Sequence, residues 1–362
     1  TMLRKIFVPE FRYVSFDDPI MVERMLSDPR GFMNYYDNKV IFDEVQKVPE
    51  LFNNIKICID EDRSTYGKFI LTGSSQFSMV KGISETLAGR IGTLVLLPFQ
   101  FNEMPKAVQK EQMLFGSYPE NIIRKFQGVR EWYGSYINNY IERDVRSLYN
   151  IGNLRDFQRL LHLLAAQTAQ ELNMNRLSGE IGVSVKTIKA WMSVLEASYI
   201  IFFLEPYYEN FGKRIVKRPK FYFYDTGLVC YLTGISSFDL LDKGPLAGPL
   251  FENYVIAELK KTLLHTARDS HLFYFRDNSG LEIDLIIEDV LSKEKIFAEI
   301  KNTSTPKPIM IEKIKKIVAL DNRSIKKSMY KNKAVLVYRG KEEYDFNAVK
   351  CMHYLKFLEN PI

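Results

Sequence analysis

The first hundred residues place short apolar runs between stretches of helical periodicity: Tyr13 to Phe16, Lys39 to Phe42, Ile55 to Ile59, Lys68 to Leu71 and Thr93 to Leu97. A chain that alternates in this way pairs its runs as a parallel sheet and lays the helices over the faces. Two of the runs end in chemistry. Val40-Ile41-Phe42 leads into Asp43-Glu44, and Phe69-Ile70-Leu71 leads into Thr72-Gly73-Ser74-Ser75.

A strand ending in Asp-Glu suits the half of a nucleotide triphosphatase in which one carboxylate, Asp43, holds Mg²⁺ through water and the next, Glu44, orients and deprotonates the attacking water. Thr72 and Ser74 at the second strand end suit a γ-phosphate sensor. Arg90 in Leu87-Ala88-Gly89-Arg90 suits a finger on the γ-phosphate, from the same subunit or a neighbour in a homo-oligomer. The bland alternatives are a carboxylate pair at a surface strand end and an ordinary ion pair. No G-x-x-x-x-G-K-[ST] loop, which would grip the phosphates, occurs in the sequence. Thr1 to Phe7 has the pattern of the helix that follows such a loop, so the expectation is a chain cut just after it, with Thr1 the residue nearest the nucleotide.

The 362 residues are 46% hydrophobic, enough for two or three cores. The net charge of +6 gathers in Lys213 to Lys220 and between Lys293 and Lys333, so a polyanion would meet the second half. Cys58, Cys230 and Cys351 and four histidines are too scattered for a disulfide framework or a zinc site, which fits a reduced cytoplasmic chain. The longest apolar runs, Leu94 to Phe101 and Ile200 to Leu204, fall far short of the roughly 20 residues that span a bilayer.

Prolines 98, 105 and 119 mark a passage into helical patterns that continue to about residue 170. Arg176 to Ile181 predicts a short helix stopped at Gly182, and Ser184 caps a second helix over Val185 to Ala197. This is helix-turn-helix spacing, with Ile200 to Leu204 and Lys220 to Tyr224 as wing strands. Lys186, Thr187 and Lys189 then fall where a second helix meets DNA, while Ile188, Trp191 and Leu195 are core. Such elements also serve as protein-binding lids.

In the last third, Glu282 and Asp284 share one face of a strand, with Ile283, Leu285 and Ile287 on the other, and Glu299 and Lys301 share a face of the next. Glu252 lies at helical spacing with Val255, Ile256 and Leu259, on an apolar face where a carboxylate needs a cation or a proton. The set suits Mg²⁺-dependent phosphodiester cleavage. Asp284 and Glu299 hold the metal with the Ile300 carbonyl, Lys301 positions water and developing charge, and Glu252 supports the site. Chance placement in a charged chain is the alternative.

Taken together, Tyr13 to Pro19, Val40 to Pro49, Leu71 to Ser75, Leu87 to Arg90, Tyr140 to Asp144, Phe223 to Leu228, Phe251-Glu252, Glu282 to Asp284 and Glu299 to Lys301 resemble prokaryotic AAA-type ATPases that carry the C-terminal domain of unknown function 4143. The resemblance implies an α/β fold in parts: residues 1–105 as an ATPase parallel-sheet core lacking its phosphate loop, 106–170 as a helical lid, 171–240 as a winged helix, and 245–362 as a restriction-endonuclease-like α/β domain. It implies ATP and Mg²⁺ as cofactors and DNA as a partner. Three readings stay open: an ATPase that drives a nuclease-like domain on DNA, a non-catalytic DNA- or protein-binding module, and a standalone Mg²⁺-dependent nuclease.

Overall fold

The computed structural model describes residues 2–73, 86–141, 154–207, 218–268, 270–322 and 330–359. The chain forms two compact units, Thr1–Thr93 and Leu94–Ile362.

In the first unit α1 (Met2–Phe7) precedes β1 (Arg12–Ser15), α2 (Pro19–Ser27), α3 (Pro29–Tyr35), β2 (Val40–Asp43), α4 (Glu50–Glu61) and β3 (Phe69–Leu71). The strands form a parallel sheet in the order β1-β2-β3, as their alternation with helices predicts. Asp18 and Asp28 cap α2 and α3 by accepting backbone N–H bonds, each with proline at the first helical position, where a missing donor costs nothing. Phe16, Phe32 and Phe42 pack at the centre with Val14, Val45 and Leu51, all buried.

Two expected strands are not strands. Ile55 to Ile59 lies inside α4, where Leu51, Phe52 and Ile55 are buried at helical spacing, so burial on one helical face overrides the β-branched composition. Thr93 to Leu97 pairs with no strand among the described residues; the Leu97 amide donates instead to His265 Nε2 at 3.1 Å.

The second unit opens with α5 (Gln112–Phe115), α6 (Pro119–Ile123), α7 (Val129–Tyr136), α8 (Leu154–Ala166), α9 (Met174–Ile181) and α10 (Val185–Ala197). Then follow β4 (Ile201–Pro206), β5 (Lys220–Phe223), α11 (Thr226–Thr233), α12 (Phe238–Lys243) and α13 (Ala247–His265). It closes with β6 (Ser270–Arg276), β7 (Glu282–Asp289), β8 (Glu294–Lys301), α14 (Pro308–Asn322), β9 (Lys331–Tyr338), β10 (Tyr344–Phe346), β11 (Val349–His353) and α15 (Tyr354–Glu359). The turn between α9 and α10 is as the sequence predicts. Gly182 takes φ 86° past the end of α9, a left-handed conformation suited to glycine, and the Ser184 hydroxyl accepts from the Thr187 amide at 3.1 Å.

The wing strands do not stand apart. One eight-stranded sheet runs β10-β11-β9-β8-β7-β6-β4-β5, with β4 joined in parallel to β6 at Glu205–Phe273 and Pro206–Tyr274. The helix-turn-helix segment is thereby tied to the C-terminal strands, and the first residue of β5, Lys220, stands at the edge of their cluster of carboxylates.

A buried polar hub secures the helices. Asp225 caps α11 through the Leu228 amide at 2.9 Å and accepts from the Ser117 amide at 2.8 Å and from the Tyr133 hydroxyl. Gly116 takes φ 81°, and a Cβ there would meet Tyr133 and Asp225 oxygens within 2.4 Å, so the hub closes only over glycine.

Candidate functional site

In the N-terminal unit Asp43 ends β2 and Glu44 follows in a left-handed conformation, φ 57°, that bends the chain out of the sheet. Such conformations in non-glycine residues cluster at functional sites. The Tyr13 hydroxyl donates to Asp43 Oδ2, and Gln46 Nε2 donates to Glu44. Burial and then the Asp43 carboxylate push the Tyr13 phenol up to about 12, so it remains a donor throughout the physiological range. Thr72 joins β3 to β2 through its amide, which donates to the Phe42 carbonyl at 2.9 Å.

Arg90 is held by Asp60, its Nε and Nη2 donating to the two carboxylate oxygens at 2.9 and 3.0 Å. The ion-pair alternative is therefore the geometry seen for Arg90, and hydrogen bonds from Arg90 pull Asp60 down to about 2. Thr1 and Ser74 lie outside the described residues.

The C-terminal unit gathers all four of its expected residues. Glu299 and Lys301 face α14 from β8, on the side of Phe297, while Ala298 and Ile300 enter the opposite core, as a period of two requires. β7 departs from that period. Phe273 pairs with Ile286 and Phe275 with Ile283, so β7 carries one residue more than β6 across this interval. This bulge places Ile283 and Ile286 in one core cluster and Leu285 and Ile287 in the other, which corrects the expectation that Ile283, Leu285 and Ile287 share a face. Bulges re-aim side chains beside sites, and Asp284 sits at this one.

Asp284 Oδ2 accepts from the Ile300 amide at 2.8 Å and from Lys301 Nζ at 3.1 Å. Lys301 Nζ also lies 2.8 Å from Glu299 Oε1, and Lys313 Nζ of α14 lies 2.7 Å from the same oxygen. Glu299 Oε2 is buried with no hydrogen-bond partner. Glu252 Oε1 accepts from Lys220 Nζ at 3.0 Å and from the Tyr222 hydroxyl at 2.8 Å, while Lys220 Nζ lies 2.6 Å from Glu282.

Burial raises Asp284, but Lys301, Lys220 and Lys313 outweigh it and hold its carboxyl below the usual range. Burial and the Asp284 charge raise Glu299 against the opposing lysines. Burial lifts Glu252 to about 7 although Lys220 pulls it down. Burial works against the Lys220 ammonium, yet Glu252 and its neighbours raise its pKa well above the ordinary lysine value. Four carboxylates thus face Lys220, Lys301, Lys313 and, at Glu282, Arg276.

A cleft of about 550 Å³ opens onto this cluster, lined by Glu252, Glu282, Asp284, Lys220, Lys301 and Lys313 and, from the helical side, by Asn173, Arg176, Arg218 and Arg276. Lys186, Thr187 and Lys189 are not among its lining residues. Lys186 and Lys189 are exposed on α10, and the Thr187 hydroxyl is bonded to Ser184. The first helix of the pair, through Asn173 and Arg176, reaches the cleft instead.

Sequence reading missed Lys220, Tyr222, Arg276 and Lys313. Lys220 was legible in part, as a lysine opening a run in which Phe221, Tyr222 and Phe223 are all apolar or aromatic, which marks a charge drawn inside. Instead it was counted in the basic run from Lys213. In that run residues 213–217 lie outside the described residues, Arg218 lines the cleft, and Lys220 is buried among carboxylates rather than offered to a polyanion.

Comparison with known families divides the chain in three. Residues 1–105 match the model of an AAA domain, residues 107–239 a domain of unknown function (DUF8612), and residues 247–357 a domain of unknown function (DUF4143). The N-terminal region is AAA-like, and the C-terminal region is similar to the DUF4143 family. The uncharacterized protein Rv2008c of Mycobacterium tuberculosis is 28% identical over 291 residues, 80% of this chain and 64% of that protein. The same identity and coverage hold for the uncharacterized protein Mb2031c of Mycobacterium bovis. The uncharacterized protein MJ1544 of Methanocaldococcus jannaschii is 23% identical over 358 residues, 90% of this chain and 77% of that protein. The chain thus spans 64% of the length of the mycobacterial relatives. Among the described residues no helix is long and apolar enough to cross a membrane.

Proposed function

We propose that the C-terminal unit binds DNA along its phosphate backbone in this cleft and cleaves phosphodiesters with Mg²⁺, and that the AAA-like region serves it as an Mg·ATP-dependent module. The observation that carries the reading is the contact of Lys301 with both Asp284 and the buried Glu299, where Asp284 and Lys301 line a cleft edged by arginines. The order helix, three antiparallel strands, helix, parallel strand (α13-β6-β7-β8-α14-β9) supports reading this region as a restriction-endonuclease-like core.

The donor set fits the ion. Asp284, Glu299 and the Ile300 carbonyl are hard oxygen donors, and Glu299 Oε2 is a buried acceptor that no protein donor satisfies. Bound there, Mg²⁺ would supply a more acidic water and charge neutralisation at a phosphoryl oxygen. The residues do the rest. Lys301 fixes the two carboxylates relative to each other and brings an ammonium to the cleft, Lys313 steadies Glu299 from the helix, and Arg176 and Arg218 offer charge to phosphates on either side. In the N-terminal region Asp43 and Glu44 would hold Mg²⁺ through water and orient the attacking water, with Tyr13 fixing Asp43.

A second reading, a binding module without cleavage, is favoured by the lysines that already pair with each of the four carboxylates. Binding of a labelled duplex, measured from about 50 to 200 mM salt, should weaken by orders of magnitude for a protein that neutralises several phosphates. Cleavage in Mg²⁺ or Mn²⁺ supports the first reading, salt-sensitive binding without cleavage supports the second, and binding indifferent to salt overturns both.

A further inference from the structure

We infer that Lys220 is a built-in cation occupying one half of the carboxylate cluster, so that the site takes a single divalent ion, on Asp284 and Glu299, and Glu252 is not one of its ligands. The inference deepens the metal-dependent reading and rests on it.

The cluster divides in two. In one half Lys220 Nζ stands 3.0 Å from Glu252 and 2.6 Å from Glu282, with the face of Tyr274 5.4 Å away, and its side chain is 5% exposed. Tyr222 adds a second donor to the Glu252 oxygen that Lys220 holds, and Arg276 approaches Glu282 at 3.7 Å. Lys220 is not a surface lysine folded inward by chance. It opens β5, bridges its backbone to Glu171, and precedes three buried aromatic residues that fix its direction. In the other half Lys301 and Lys313 hold Asp284 Oδ2 and Glu299 Oε1, but their side chains are 32% and 27% exposed and free to swing into the solvent, and Glu299 Oε2 is buried with no hydrogen-bond donor among the described residues.

A two-metal site needs a carboxylate shared between ions about 3.5–4 Å apart. Here the carboxylates that would hold the second ion hold an ammonium whose side chain is itself buried, unlike those of Lys301 and Lys313, and a second dication beside it would set two cations against the same oxygens. The consequence is an architectural link. The strand that follows the helix-turn-helix supplies the charge that fixes how many ions the C-terminal site accepts.

The experiment is a Mn²⁺ titration of the full chain without nucleotide, read from the free-ion electron paramagnetic resonance signal. The readout is the number of ions lost on Glu299→Gln, which separates this site from any ion at Asp43. One ion lost, with the affinity of Glu252→Gln within about threefold of the parent, is expected, because neutralising a group that binds Lys220 removes no ligand. Lys220→Met should gain one further ion. Two ions lost on Glu299→Gln, none lost, or a weakening of about tenfold or more in Glu252→Gln would overturn the inference; the second range is that of disturbing a group that supports metal ligands. Should Lys220→Met not fold, the Glu299 and Glu252 variants decide alone. One bound ion with no DNA cleavage leaves this inference standing and sinks the nuclease reading.

Discussion

Lys220→Met tests the electrostatics of the cluster directly. In the parent chain Lys220 bridges Glu252 and Glu282 with its side chain 5% exposed. Removing one partner of a buried pair costs about 3–5 kcal/mol, because the remaining charge is stranded. The cost depends on pH with a definite sign. Burial places Glu252 at about 7 in the folded chain even with Lys220 opposing, above the value near 4.5 of a free glutamate. A carboxylate raised on folding carries no penalty below its unfolded value, and its penalty grows with pH until the folded value is passed. At about 1.4 kcal/mol per unit, the parent loses up to about 3 kcal/mol between pH 4.5 and 7 through this group. Without the ammonium the folded value rises further, so the variant goes on losing stability above pH 7. At pH 5 Glu252 is protonated in both proteins and Glu282 keeps Arg276, so the defect shrinks to under about 2 kcal/mol; at pH 8 it reaches the full 3–5 kcal/mol. Both tryptophans, Trp132 and Trp191, belong to the C-terminal unit, so urea unfolding followed by tryptophan fluorescence reports that unit. An equal defect at pH 5 and pH 8, or a larger one at pH 5, would refute the reasoning.

Asp225→Ala strips buried acceptors from the Ser117 and Leu228 amides and should cost about 2–6 kcal/mol in the same unfolding assay, from two unsatisfied donors at about 1–3 kcal/mol each. Ser184→Ala removes the cap of α10 and should cost about 1 kcal/mol, with no change in metal binding. Arg176→Gln with Arg218→Gln should weaken duplex binding at low salt and reduce the slope of log affinity against log salt by about 2, at roughly 0.9 per phosphate; an unchanged slope would remove these arginines from the DNA path.

The sequence carried the fold wherever one signal acted alone. Gly182 and Ser184 mark the turn between α9 and α10 because backbone conformation and capping are local. Glu299 and Lys301 fall on one face because nothing interrupts the alternation of β8. The readings failed where tertiary burial overrode a local pattern. Ile55 to Ile59 looks like a strand until the buried face of α4 is known, and the bulge at Asp284 arises from pairing with β6, which no single strand reveals. The role of Lys220 was hidden for the same reason. Its partners lie 32 and 62 positions away, and only the joining of β4 to β6 brings β5 to them. In the N-terminal unit the carboxylates Asp43 and Glu44 were legible, whereas Tyr13 as the donor to Asp43 follows only from the parallel register of β1 and β2.

The central claim is that the cluster of Asp284, Glu299 and Lys301 performs phosphodiester chemistry. The most direct measurement is single-turnover cleavage of an end-labelled duplex by the full chain in Mn²⁺, with Asp284→Ala compared at matched DNA occupancy. Removal of this carboxylate should abolish cleavage while leaving DNA bound. A parent chain that binds one ion and DNA yet never cuts, or cleavage that survives Asp284→Ala, would contradict the account.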